Sequence, residues 1–91
     1  MSAVVRIPTI LRTYTGGAAE VAAEGATLQD VLDSLDAQYP GIAARVLDDN
    51  GALRRFVNIY VNDDDVRFLD GLVTPIADGA NISIIPAVAG G

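Results

Sequence analysis

Ninety-one residues carrying a net charge of −6 bound a single acidic domain with one modest core. Cysteine and histidine are both absent, which excludes disulfides, thiol nucleophiles, Cys-ligated metal and every catalytic arrangement built on histidine, so the chain is not expected to be an enzyme. Twelve acids against six arginines leave no basic stripe for nucleic acid, and no apolar run is long enough for a membrane or a signal segment. The chain is therefore expected to be soluble and cytoplasmic, and its acidity suggests either docking on a basic partner surface or plain solubility.

In chain order, residues 3–11 (AVVRIPTIL) are β-branched and partly alternating, which predicts a strand. Pro8 has no N–H for a ladder, so it belongs at an edge or at the strand's end. Gly16-Gly17 mark a turn, and residues 18–24 predict a second strand forming a hairpin with the first. A helix is predicted over 27–39. Thr27 supplies an N-cap, with Asp30 three residues on. Leu28, Val31, Leu32, Leu35 and Tyr39 make one apolar face, and Pro40-Gly41 ends it. A further turn of helix is expected through 42–47, then a loop at Asp48-Asp49-Asn50-Gly51.

Residues 54–62 (RRFVNIYVN) predict a strand, with Arg55, Val57, Ile59 and Val61 on one face and Arg54, Phe56, Asn58, Tyr60 and Asn62 on the other. A turn follows, Val66-Arg67-Phe68 is expected to return as a short strand, and 71–79 is irregular. Residues 80–86 (ANISIIP) predict the last strand. The order β-β-α-β-β-β, with the first and last strands side by side at the centre, is an α+β, β-grasp (ubiquitin-like) architecture with one main helix on a mixed sheet. Fold alone does not give function. The expected division is a domain over 1–87 and a flexible tail over 88–91.

That tail, Val88-Ala89-Gly90-Gly91, is the most informative segment. Glycine has no Cβ, so a diglycine end lies extended, turns freely and threads a channel too narrow for any side chain. Such an end suits an enzyme that must bring a protein carboxylate up to a nucleotide phosphate. An ordinary frayed terminus is the plain alternative. The Asp63-Asp64-Asp65 run reads as a solvated turn, because the calcium-loop spacing around it is missing. If Val57, Ile59 and Val61 pack under the helix, Phe56 and Tyr60 lie on the open sheet face, shared by Arg6 and Ile85. Aromatics beside arginine there form a candidate partner surface, unless loops cover them.

The strings IPTILR at 7–12, RFVNIYVNDDDVRF at 55–68, IADG at 76–79 and IIPAVAGG at 84–91 resemble the ubiquitin-like sulfur carrier proteins of the ThiS/MoaD family, over nearly the whole chain. Terminal VAGG after a β-branched strand is the family's specific mark. The internal strings are most similar to its cysteine-biosynthesis branch. One departure is Ala80, where many relatives carry an acid, and a surface charge is expected to be missing there.

The resemblance implies that an E1-like adenylating enzyme uses ATP–Mg to activate the Gly91 carboxylate, with Gly90, Ala89 and Val88 entering its channel. Sulfide or a persulfide then displaces AMP and leaves a thiocarboxylate. In the cysteine branch that sulfur passes to an acceptor held on pyridoxal phosphate by a cysteine synthase, and a zinc-dependent metallopeptidase releases the product. All three cofactors belong to those partners, and none is expected on this chain. Other acceptors are a thiolated natural product, thiazole or molybdopterin. Two further function classes stand beside the carrier: a protein modifier joined through Gly91 to another protein's lysine, and an interaction module whose tail is incidental. The absence of lysine rules out isopeptide chains built on this protein.

Overall fold

The structure, a computed structural model, describes residues 2–86. Strand β1 (Ser2–Arg6) is followed by a 3-10 turn at Thr9–Leu11, strand β2 (Glu20–Glu24), helix α1 (Leu28–Gln38) and the short helix α2 (Ala43–Val46). Strand β3 (Val57–Val61), the two-residue strand β4 (Asp64–Asp65), 3-10 turns at Val66–Phe68 and Gly71–Val73, and strand β5 (Ala80–Pro86) complete the order. The five strands form one sheet in the order β2-β1-β5-β3-β4. β1 and β5 run parallel at its centre, with Ala3 opposite Ala80 and Arg6 opposite Ser83, and the other pairings are antiparallel. This is the expected β-grasp.

Alternation along each strand builds the core. Val57, Ile59 and Val61 on β3 and Ile82 and Ile84 on β5 are buried. They meet Leu28, Val31, Leu32 and Leu35 from α1, as the apolar spacing requires. Thr27 caps α1, its hydroxyl accepting from the Asp30 amide at 3.3 Å. The helix start is also stitched to the loop before β5: Leu28 N–H donates to the Thr74 carbonyl (3.0 Å) and Ile76 N–H to the Ala26 carbonyl (2.9 Å). Gly25 lies against that first turn so closely that a Cβ there would be 2.5 Å from the Val31 nitrogen.

Four expectations are corrected. The first strand stops at Arg6 rather than running to residue 11. Pro8 cannot donate, and the chain curls into a 3-10 turn that buries Leu11. The strand expected over 54–62 spans only Val57–Val61, so Arg54, Arg55 and Phe56 precede it in a turn and Arg55 shares no strand face with Val57. Val66–Phe68 is a 3-10 turn, not a strand, because the Asp65 carboxylate accepts from the Arg67 amide at 2.9 Å and starts a helical turn. Ala80 is buried, paired with Ala3, so its position belongs to the core and not to the charged surface.

Candidate functional site

The sheet face away from α1 is assembled by register. Arg6, Ser83, Tyr60 and Asp65 stand in one row, since Arg6 pairs with Ser83, Ser83 with Tyr60 and Tyr60 with Asp65. Glu20 extends the row on β2, its carboxylate 3.4 Å from the Arg6 guanidinium. Asn58 faces Ile85 in the next row toward the end of β5. Val4, Arg6, Glu20, Asp63, Asn81, Ile82 and Ser83 line a shallow depression of about 320 Å³. Ile85 and Phe56 remain about half exposed, at 47% and 51%.

The structure thus brings together Arg6, Tyr60 and Ile85 as expected, with two adjustments. Tyr60 is half-buried rather than exposed, on a strand paired on both sides, with Ser83 opposite on β5 and Asp65 on β4. Phe56 reaches this end of the sheet from the turn before β3, not by strand alternation. Its neighbour Val57 pairs with Pro86, the last described residue of β5. Phe56 therefore adjoins the Val57–Pro86 pair at the end of β5. Val88, Ala89, Gly90 and Gly91, and the expected flexible tail, lie outside the described residues.

Sequence reasoning missed Arg67. Its guanidinium donates to the carbonyls of Arg54 (2.9 Å), Arg55 (3.4 Å) and Val57 (2.7 Å), and to the Asn58 side-chain oxygen. No periodicity could have flagged it, because the partners are backbone oxygens about ten residues away. The one sequence cue is negative: an arginine within an otherwise apolar Val-Arg-Phe-Leu run.

Among the described residues no three acidic side chains gather to hold a metal ion, and no helix is long and apolar enough to cross a membrane.

A fold of this kind, one main helix on a five-stranded mixed sheet, defines a ubiquitin-like β-grasp protein. The ThiS family model matches residues 5–91, and the chain belongs to the ThiS family. It is similar to the sulfur carrier protein CysO of Mycobacterium tuberculosis, at 57% identity over 93 residues covering 100% of both chains. The crystal structure of that CysO superposes with a TM-score of 0.91, at 56% identity, covering 94% of this chain and 99% of the other. CysO in the BexX/CysO complex of Amycolatopsis orientalis gives 0.92 at 49% identity, covering 98% and 99%. Small archaeal modifier protein 3 of Haloferax volcanii is 44% identical over 68 residues, covering 75% of this chain and 73% of the other.

Proposed function

We propose that this chain is a sulfur carrier, a protein cosubstrate whose Gly91 carboxylate is converted to a thiocarboxylate. The observation that supports it most is the 57% identity to CysO across 100% of both chains, a match that takes in Ala89-Gly90-Gly91. The family match likewise extends to residue 91.

The chemistry follows from the terminus. A carboxylate is anionic and resonance-stabilised, hence a poor electrophile. Its attack on the α-phosphate of ATP expels pyrophosphate and makes an acyl-adenylate. Sulfide then attacks that carbonyl carbon; where the donor is a persulfide, its terminal sulfur attacks instead and a thiol reductant must then cleave the S–S bond of the acyl disulfide. The new C–S bond replaces the C–O bond to AMP, and AMP leaves. This chain contributes three things: the reacting carboxylate, a tail slender enough to enter a partner's cleft because Gly90 and Gly91 lack side chains, and a docking surface at the tail's root. The adenylating enzyme, a sulfur-accepting enzyme such as a cysteine synthase, and a metallopeptidase supply ATP–Mg, pyridoxal phosphate and zinc. Cysteine biosynthesis is the pathway the CysO likeness favours.

Incubation with a cognate adenylating enzyme, ATP and a sulfur donor tests this. Intact-protein mass spectrometry should show one oxygen replaced by sulfur, localised to the C-terminal peptide. Deleting Gly91 should abolish the conversion without unfolding the domain. No ATP consumption on the intact chain, or equal turnover without the tail, would refute it. The likeness to Small archaeal modifier protein 3 supports a second reading, attachment through Gly91 to lysines of other proteins. That reading expects covalent adducts on a denaturing gel instead.

A further inference from the structure

Phe56 is an aromatic residue held half in solvent on a turn whose neighbours are unusually well tied. Arg67 sends its guanidinium to backbone carbonyls on both sides of it, those of Arg54 and Arg55 before and Val57 after, and to Asn58 beyond. The other end of the turn is fastened too. Arg54 donates through Nε (3.2 Å) and Nη2 (3.0 Å) to the Ala44 carbonyl, and its amide donates to the Val46 carbonyl at 3.0 Å. The turn closes on itself through Val57 N–H to the Arg54 carbonyl, 3.0 Å. The root of the Arg67 side chain is set in its own right, since Asp65 accepts from the Arg67 amide and Val66 is fully buried.

We propose that Arg67 is a positioning residue: it fixes the turn at 54–57 so that Phe56 stands ready, beside the end of β5, as an anchor for the enzyme that receives the tail. This rests on the sulfur-carrier reading and names a residue by which the docking surface is built. The physical advantage is pre-organisation. An aromatic side chain on a fixed backbone loses little conformational freedom on binding, so more of its buried area appears as affinity. A flat guanidinium with five donors suits several carbonyls converging on one point, and an ammonium cannot reproduce that fork. Arg67 is itself exposed, so its replacement leaves the hydrophobic core untouched.

The test is a double-mutant cycle on thiocarboxylation, with the cognate adenylating enzyme, ATP and sulfide. Arg67→Gln should raise the KM for the carrier several-fold with kcat unchanged, and Phe56→Ala should do the same. The double variant should be no worse than Phe56→Ala alone, because Arg67 acts through Phe56. Arg67→Lys should fail to restore the KM. Amide exchange at Phe56 and Val57 should quicken in Arg67→Gln. Should Arg67→Gln melt below the assay temperature, Arg67→Lys takes its place in the cycle. An unchanged KM, or effects that multiply in the double variant, would overturn the proposal while wild-type turnover still upholds the carrier reading. If the wild-type chain is not converted at all, the carrier reading falls and this proposal falls with it.

Discussion

The two faces of the sheet are built from the same strands and differ sharply in exposure. On the α1 side, Val5, Val57, Ile59, Ile82 and Ile84 are all sealed from solvent. On the other side the alternate residues of the same strands, Val4, Arg6, Ile85 and Asn58, stand half-buried or exposed. A period of two is enough to separate them, because each step along a strand reverses the side chain's direction. The lesson is that residue parity separates the side chains that hold the core from those left to solvent. Side chains can be changed on the open face for a new partner with little loss from the core.

Core truncation gives the largest expected effect in that comparison. Leu32→Ala or Ile59→Ala removes a side chain that is at most 1% exposed, and each should destabilise the domain by about 2–5 kcal/mol. Denaturant melts would show it, and a loss well under about 1 kcal/mol would mean that the sealed face is not what holds the molecule together.

Gly25→Ala should come next. The added Cβ would meet the Val31 nitrogen, the Asp30 Cβ and the Asp30 carbonyl carbon at 2.5–2.7 Å, and most of those atoms are helix backbone that cannot swing aside. Overpacking of this kind costs about 1–3 kcal/mol. A melting temperature equal to wild type would show that α1 shifts freely, contrary to its stitching to Thr74 and Ala26.

The open face should respond in the reverse sense. Phe56→Ala should weaken docking on the adenylating enzyme by more than about 1 kcal/mol while changing stability by less than about 0.5 kcal/mol. Titration calorimetry beside a denaturant melt separates the two. Equal losses in both would erase the distinction between the faces, and normal binding would move the docking surface elsewhere. Tyr60→Ala sharpens the point: its half-buried ring should register in both measurements.

What could be seen in the sequence follows the same physics. Strands β3 and β5 were legible because β-branched residues alternate through them, and α1 because its apolar residues repeat at helical spacing behind a threonine cap. Strand ends were less so. Residues 7–11 carry the strand's composition, but the missing N–H of Pro8 decides their conformation. Val66-Arg67-Phe68 alternates like a strand, yet the Asp65 side chain bonds to the Arg67 amide and turns the chain. At the candidate site, parity correctly gathered Arg6, Tyr60 and Ile85. Phe56 stands in the turn before β3, which is held by arginine-to-carbonyl bonds. Such bonds leave no periodic trace, because any residue can offer a backbone oxygen. The diglycine end is a statement of composition throughout, and its chemistry rests on the proposal above.

The parallel pairing of β1 with β5 has a consequence for birth of the molecule. Ala3 finds its neighbour in Ala80, and the Ser2 amide is held by the Asp78 carboxylate at 2.9 Å. Strand β1 is therefore without its central partner until β5 has been synthesised. A nascent chain can zip β1 to β2 and coil α1, but the sheet cannot close before residues 80–86 emerge. Contacts so distant in sequence are slow to form, because the loop-closure entropy is lost before they repay it. A chain cut short before β5 would lack the central partner of β1, and with it a finished sheet.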